Sequence, residues 1–133
     1  MIYALDTNTV TFILKEDAEV KHNADIALDK GHSLILPQIV DYEVQRGLLA
    51  KRMNKKLEEY LFFRQIVSIG VINEEVWQEA ARIFALLYQK GKPIGDGDIL
   101  VAAFCLVNNC ILVTNDTHFN RVRGIQITNW KSF

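Results

Sequence analysis

Cysteine is scarce in this chain, and no apolar stretch is long enough to cross a membrane. Cys105 and Cys110 are the only two cysteines, and their spacing matches neither a metal-ligand motif nor a redox motif. We therefore expect two buried, reduced thiols, which suit a reducing cytoplasm. The sequence also lacks internal repeats, low-complexity linkers and a basic leader, so we expect no signal peptide and no transmembrane segment.

Net charge is nearly absent as well. The formal net charge of −1 points to no class of partner by itself. The 133 residues are half apolar, which predicts a single domain over residues 1–133 with one core. If five of the 16 acidic residues share one site, 11 remain against 15 lysines and arginines. The surface outside such a site would be mildly basic, which is compatible with a polyanionic substrate.

The most informative stretch covers residues 94–116. Asp96 and Asp98 lie in a glycine-rich turn before a run that is apolar on nearly every side, which predicts a helix buried all round. A shorter apolar run follows and is typical of a buried parallel strand. Asp98 should then lie in the first turn of a central helix, and Asp116 just past the carboxyl end of a central strand. Carboxylates are costly to bury unpaired, so they should meet a cation.

Short apolar runs alternate with helical patterns along the rest of the chain. The predicted order is strand, helices, strand, helices, strand, helix, helix, strand, strand, which indicates an α/β fold with a mainly parallel sheet. Ligands of such sheets bind at the carboxyl ends of the strands. Asp6 follows the first predicted strand, and Glu43 lies about two turns into the helix after the second. Four carboxylates can therefore converge on one rim.

Ordinary explanations exist for some of these residues. Asp6 could be a helix N-cap, and Glu43 could be a boundary glutamate. Gly47 lies one turn after Glu43 on the same helix face, and we expect another backbone to approach closely there, since an interior glycine weakens a helix.

Aromatic residues are expected in two places. One later helix carries apolar residues at helical spacing, which predicts a core face made of Trp77, Ala80, Ala81, Phe84, Leu87 and Tyr88. Phe12, Phe62 and Phe63 exceed what a single core stripe needs, and we expect them in an exposed patch at an interface.

A cluster of acids without histidine suits Mg²⁺ or Mn²⁺. One or two such ions can activate water and stabilise the leaving oxygen in phosphodiester hydrolysis. Thr114, Asn115 and Asn8 could hold the carboxylates or bound waters in place. His118 follows Asp116 by two residues, but an all-oxygen site does not require it, so we interpret it as a surface or substrate-facing residue rather than a ligand.

Four segments in order resemble the PIN-domain family, and within it the VapC-like toxins of bacterial toxin–antitoxin pairs. They are Leu5-Asp6-Thr7-Asn8, Glu43 with Gly47, the residues 97–103, and Val-Thr-Asn-Asp at 113–116 followed by Phe119; Asn129-Trp130 near the end adds to them. The resemblance spans essentially the whole chain. It implies a three-layer α/β/α fold with a mainly parallel central sheet.

The same resemblance implies a Mg²⁺-dependent endoribonuclease that cuts structured RNA such as tRNA and is neutralised by a cognate antitoxin. Mn²⁺ should be able to replace Mg²⁺. The catalytic acids would be Asp6, Glu43, Asp98 and Asp116, with Asp6 and Asp98 as metal ligands. Asp96 is an extra acid that could be an alternate or indirect ligand, and Asp116 could reach the metal only through water.

The resemblance also implies a two-fold homodimer, with two acid sites facing one groove. Basic side chains would line that groove and contact RNA phosphates. The candidates for these contacts are Arg46, Lys51, Arg52, Arg121 and Arg123.

Two other functions stay open from the residues alone. Asp6-Thr7-Asn8-Thr9 also resembles the opening of a haloacid-dehalogenase-like phosphatase, whose first Asp is a nucleophile. That motif needs a second acid in place of Asn8 and a late lysine, for which Lys92 is a poor candidate. The other alternative is a PIN fold that serves only as a binding module. Phospho-aspartate would identify the phosphatase, and metal-dependent RNA cleavage would exclude the binding module.

Overall fold

Five short strands form one sheet in the computed structural model, which describes residues 1–132. The strands are β1 (Ile2–Leu5), β2 (Ser33–Pro37), β3 (Ser68–Gly70), β4 (Ile111–Val113) and β5 (Gln126–Thr128). Their order in the sheet is β3-β2-β1-β4-β5, and every pair is parallel.

Six α-helices of the described chain connect the strands and flank the sheet. They are α1 (Thr7–Leu14), α2 (Ala18–Asp29), α3 (Gln38–Ala50), α4 (Asn54–Ile66), α5 (Glu74–Gln89) and α6 (Asp96–Asn108). A 3₁₀ helix covers Thr117–Arg121. The predicted α/β fold with a parallel central sheet is confirmed, and the α/β/α layering follows because parallel connections place helices over the sheet faces.

The central helix α6 is buried over most of its length. Residues 99–105 are all buried, so the prediction of a helix covered on every side is confirmed. The helix ends at Asn109, which adopts the left-handed conformation with φ of 53° and lets the chain turn directly into β4. This burial fixes the start of α6 against the sheet and thereby fixes the position of Asp98.

The register of β1 and β4 brings their carboxyl ends to the same height. Leu5 lies beside Val113, and the Asp6 N–H donates to the Val113 carbonyl at 3.1 Å. Because both strands end at this point, Asp6 and Thr114 emerge side by side at the rim.

The core face predicted for α5 is wrong in part. Ala80 and Leu87 are buried as expected, but Trp77, Phe84 and Tyr88 are 56, 48 and 72% exposed. The buried stripe consists of Val76, Ala80, Ile83 and Leu87. Two apolar stripes lie next to each other on α5, and the smaller, branched side chains pack closer to α6 than the large rings could.

The exposed patch expected from three phenylalanines is also only partly present. Phe62 is 68% exposed, whereas Phe63 packs against the core. The ring of Phe12 is half-buried and lies under the Lys131 ammonium, 5.6 Å from the ring centroid. Phe62 alone of the three remains a candidate interface residue.

Both cysteines are free and buried, as the sequence predicts. Burial raises the pKa of the Cys105 and Cys110 thiols, so neither is a reactive thiolate at neutral pH. None of the helices within residues 1–132 combines the length and apolar character needed to cross a membrane.

Candidate active site

Asp6 is the most deeply buried acid at the rim of the sheet. It is 5% exposed, and both carboxylate oxygens accept hydrogen bonds. The Thr7 backbone N–H donates to Oδ1 at 2.8 Å, which makes Asp6 the N-cap of α1, and the Thr114 hydroxyl donates to Oδ2 at 2.8 Å. The N-cap explanation is therefore correct as far as it goes, but it accounts for only one of the two oxygens.

The surroundings of Asp6 disfavour its charge. Burial raises the pKa of Asp6 from 3.8 to about 6, and the charges of Asp98 and Asp116 push it in the same direction. The hydrogen bonds from Thr114 and Thr7 lower the pKa but do not compensate for burial. No lysine or arginine of the described residues forms an ion pair with Asp6. A buried acid in this state lacks a cation.

Glu43 reaches the same rim from α3. The Thr7 hydroxyl donates to Glu43 Oε1 at 3.0 Å, so α1 holds this carboxylate in place. A Cβ atom on Gly97 would lie 2.8 Å from Glu43 Oε2, which is too close for any other residue without a shift of Glu43. Gly97 thus allows the first turn of α6 to approach Glu43 directly. Neither contact could be read from sequence spacing.

Asp98 lies in the first turn of α6, as predicted. Burial raises the pKa of the Asp98 carboxyl, followed by the charges of Asp116 and Glu43, whereas His118 lowers it. Asp98 and Asp116 therefore act on Asp6, and Asp116 and Glu43 act on Asp98, so Asp98 links all four acids.

Asp116 is held in a turn that also carries His118. The Asp116 N–H donates to the Thr114 hydroxyl at 3.0 Å, and Asp116 Oδ1 accepts from the His118 N–H at 2.9 Å. His118 Nδ1 is 3.2 Å from the same oxygen. One ligating atom each of Asp98, Asp116 and His118 lie within 4.8 Å of one another. The sequence predicts His118 as a surface or substrate-facing residue, and only its spacing of two residues from Asp116 points to a place in this cluster.

The residues expected to support the acids divide into two groups. Thr114 contacts both Asp6 and Asp116, and the Asn8 side-chain amide donates to Asn115 Oδ1 at 3.4 Å across the rim. Asp96 is exposed and lines a groove with Trp77 and Phe84 instead. It is not among the groups that shift the pKa of Asp6 or Asp98.

The explanation offered for Gly47 is wrong. A Cβ atom on Gly47 would meet no atom within 4 Å, apart from its own helix and chain neighbours. Gly47 instead lines a groove of about 300 Å³ that also borders Thr7, Glu43 and Lys51. The glycine leaves open space beside Glu43 rather than admitting another part of this chain.

The basic candidates lie at different places on the surface of the described chain. An Arg46 guanidinium nitrogen is 3.7 Å from Glu43 Oε2, and its guanidinium lies over the Tyr42 ring. Arg52, just past α3, is exposed. Arg121 donates to the Pro93 carbonyl at 2.8 Å and so tethers the loop before α6, whereas Arg123 is exposed. Arg121 and Arg123 line a groove that Lys51 does not share.

The donor set fits a divalent cation. Four carboxylates, one of them buried without an ion-pair partner in residues 1–132, offer the hard oxygen ligands that Mg²⁺ and Mn²⁺ prefer. The exposed edge of the site near Asn8 and Asn115 leaves room for water ligands. A cation would relieve the repulsion that raises the pKa of Asp6 and Asp98.

Comparison with known proteins agrees with this geometry. A family model described as PIN domain matches residues 3–125. The protein named ribonuclease VapC2 of Rickettsia felis is 28% identical over 98% of this chain and 98% of its own length. The tRNA(fMet)-specific endonuclease VapC of Salmonella typhimurium is 25% identical over 96% of this chain and 97% of its own length.

A solved structure shares the whole fold. The crystal structure of VapBC2 from Rickettsia felis bound to a DNA fragment from its promoter contains a chain with a TM-score of 0.92 and 26% identity to this one. The match covers 98% of this chain and 100% of that chain. The similarity therefore includes every element that carries one of the four acids.

Proposed function

The chain belongs to the PIN domain family, and from this premise we propose that it is a Mg²⁺-dependent endoribonuclease toxin that cuts structured RNA. Metal-dependent nuclease chemistry is that of the family, and similar proteins are named ribonucleases. The observation that carries the proposal is the buried Asp6, which has Asp98 and Asp116 as charged neighbours and no ion-pair partner among the described residues. The phosphatase alternative loses its support, since the family match covers the residues that suggested it.

Asp6 and Asp98 are the proposed metal ligands, with Glu43 and Asp116 completing the site directly or through water. When bound, a divalent ion would activate water and stabilise charge on the phosphoryl group. The Thr114 hydroxyl and the Thr7 N–H each donate to one Asp6 oxygen and so hold the carboxylate in place. The Thr7 hydroxyl donates to Glu43 Oε1, and Oε2, which has Arg46 3.7 Å away, would orient the attacking water or accept its proton.

The direct test is RNA cleavage under controlled metal supply. The purified protein is expected to cut a structured RNA such as tRNA in Mg²⁺ or Mn²⁺ and to stop in excess EDTA, because four acids without a nucleophile–histidine pair need the ion for chemistry. Gel electrophoresis of end-labelled RNA measures this. Cleavage that persists in excess chelator, or a phospho-aspartate adduct, would contradict the proposal.

We propose tRNA as the substrate because a relative of similar length is named for cleavage of tRNA(fMet). The proposed phosphate contacts are those of Arg46, Lys51, Arg52, Arg121 and Arg123. Because RNA occurs in the cytoplasm, that is the proposed location.

Arg123→Ala tests the RNA path more cleanly than Arg121→Ala, since Arg121 also holds the Pro93 carbonyl. Loss of one phosphate contact should lower the slope of log affinity against log salt by about one unit or less. Filter binding of RNA over a salt series measures the slope. Lys30→Ala removes the same charge from the far end of α2 and should leave the slope unchanged. Equal slopes in wild type and Arg123→Ala would contradict the contact.

A cognate antitoxin is the proposed regulator, since a solved structure that shares this fold is of a VapBC complex. The groove beside Glu43 is the proposed seat for an antitoxin segment. A basic side chain of that antitoxin segment would form ion pairs with the same carboxylates that would bind the metal. Gly47 supports this because the missing Cβ leaves the groove open.

Substitution of Gly47 should separate folding from regulation. Gly47→Ala is expected to raise the free energy of unfolding by up to about 1 kcal/mol, since alanine favours the helix and no atom opposes its Cβ. Gly47→Leu should keep the fold but weaken antitoxin binding at least about tenfold, a loss of about 1.4 kcal/mol. Calorimetric titration with the antitoxin encoded in the native operon measures this. Wild-type affinity in Gly47→Leu would place the antitoxin elsewhere.

A homodimer is the proposed assembly. The exposed face of α5 supports it, because Phe84 and Tyr88 stack at 5.9 Å and Trp77 lies on the same helix, all largely in solvent. This face replaces the phenylalanine patch as the proposed interface. Light scattering tests the assembly, and a monomeric mass at micromolar concentration would contradict it.

A further inference from the structure

His118 is the one histidine of the described chain that lies at the acid site. His22 lies exposed on α2, and His32 contacts the Met1 amino group and the Tyr3 ring at the other end of β1. Since the carboxylates alone already satisfy a hard cation, the function proposed above leaves His118 without a role.

The turn after β4 holds the His118 ring in a defined place. Asp116 caps the 3₁₀ helix by accepting from the His118 N–H, and Phe119 next to it is fully buried. This buried anchor limits how far the turn can move. As a result, His118 Nδ1 lies 3.2 Å from Asp116 Oδ1 although the imidazole itself is half exposed.

The separation of the donor atoms matches a shared metal ion. The ligating atoms of Asp98, Asp116 and His118 all lie within 4.8 Å of one another. Around an octahedral ion with ligands at about 2.1 Å, neighbouring donors are about 3 Å apart and opposite donors about 4 Å. Small side-chain rotations are therefore enough to bring all three onto one ion.

A simple Asp116–His118 ion pair explains less. Such an exposed pair contributes little free energy, and it leaves the half-buried Asp98 carboxylate beside Asp116 without an ion-pair partner among the described residues. An ion between the three groups would neutralise both carboxylates and use the neutral imidazole as a donor.

We propose that His118 is a nitrogen ligand of a divalent ion held with Asp98 and Asp116, which raises the affinity of the site for Mn²⁺ relative to Mg²⁺ while both ions can still bind. The proposal rests on the metal-dependent function above. Imidazole nitrogen favours first-row transition ions, whereas Mg²⁺ prefers oxygen ligands and retains its waters. Removal of the nitrogen should therefore weaken Mn²⁺ binding much more than Mg²⁺ binding.

Pulsed electron paramagnetic resonance of the Mn²⁺-loaded protein gives the test. The wild type is expected to show a ¹⁴N coupling to Mn²⁺ that changes when only the histidine nitrogens are ¹⁵N. His118→Asn should lose this coupling and bind Mn²⁺ at least about tenfold more weakly, with Mg²⁺ affinity changed less than about threefold. The matched control His22→Asn should keep both the coupling and the affinity.

The outcomes separate this inference from the function it rests on. Mn²⁺ binding without a histidine coupling, or with equal affinity in wild type and His118→Asn, would overturn the role of His118 and leave metal-dependent cleavage standing. A wild type that binds neither Mn²⁺ nor Mg²⁺ would overturn both. Because the coupling is read in the wild type, the result does not depend on how well the variant folds.

Discussion

Asp6→Asn is expected to reduce RNA cleavage at least about 100-fold, which is a loss of about 3 kcal/mol of transition-state stabilisation. The same change should raise the free energy of unfolding of the metal-free protein. The rise in the pKa of Asp6 from 3.8 to about 6 means that the ionised carboxylate lowers the free energy of unfolding by about 3 kcal/mol at neutral pH. An asparagine retains an oxygen acceptor and a polar group for the Thr114 and Thr7 contacts. The free energy of unfolding of the metal-free variant should therefore be about 1–3 kcal/mol higher than that of the wild type. Cleavage assays and urea denaturation in EDTA measure the two effects.

The pH dependence identifies the carboxyl group as the source of the gain. Because the folded pKa of Asp6 is higher than the unfolded one, the wild type becomes more stable as pH falls from about 6 to 4. The advantage of Asp6→Asn should therefore be full above pH 6 and gone near pH 4. Asp25→Asn, an exposed change on α2, should alter neither activity nor stability. Cleavage by Asp6→Asn at the wild-type rate would show that Asp6 is not part of the active site.

The parts of the fold that the sequence could predict are those with a strong local pattern, which can be recognised without knowledge of tertiary contacts. The α6 run is apolar on all sides, so its burial follows from composition without knowledge of its neighbours. The alternation of strands and helices determined the parallel sheet, and the acids at strand ends then converge because parallel strands end on one edge.

The parts that failed depend on helix rotation and on side-chain size. On α5 two apolar stripes compete, and hydrophobicity alone does not show that Val76 and Ile83 rather than Trp77 and Phe84 face the core. The Gly47 hypothesis failed for a related reason. A glycine in a helix indicates a position without a side chain, but the sequence does not show whether another part of the chain or open space lies beside it.

Within the site, the sequence predicted acids but not what holds them. The contacts of Thr7 with Glu43 and of Gly97 with the same carboxylate join segments distant in the chain. Each depends on the exact rotation of two helices, which no periodicity specifies. The catalytic assignment of the four acids stays a prediction that the Asp6 experiment addresses first.

One buried acid outside the site was missed by sequence reasoning altogether. Asp41 on α3 is 8% exposed and accepts hydrogen bonds from Tyr60 at 2.7 Å, from Arg64 at 2.8 and 3.2 Å, and from Gln45 at 3.0 Å. Tyr60 and Arg64 belong to α4, so this cluster joins α4 to the helix that carries Glu43. Its loss should affect folding more than chemistry.

Asp41→Ala is therefore expected to lower the free energy of unfolding by about 3 kcal/mol. The change leaves the fully buried Tyr60 hydroxyl and part of the Arg64 charge without their acceptor, and such groups are costly to desolvate. Urea denaturation at pH 7 measures the loss, and Asp25→Ala serves as the exposed control with an effect below about 0.5 kcal/mol. The triple change Asp41→Leu, Tyr60→Phe, Arg64→Leu should recover much of the loss, since no polar group is then left unpaired.

The contribution of Asp41 to the free energy of unfolding should depend on pH in the opposite sense to that of Asp6. Burial raises the pKa of Asp41, but the hydrogen bonds from Arg64, Tyr60 and Gln45 outweigh burial and lower the pKa below 3.8. Its contribution is therefore complete above about pH 4 and is lost only as pH falls further. The difference between wild type and Asp41→Ala should stay constant from pH 7 to 4, through the window in which the Asp6 effect disappears. A difference that shrinks between pH 6 and 4, or a loss below about 1 kcal/mol at pH 7, would show that Asp41 does not anchor α3 to α4.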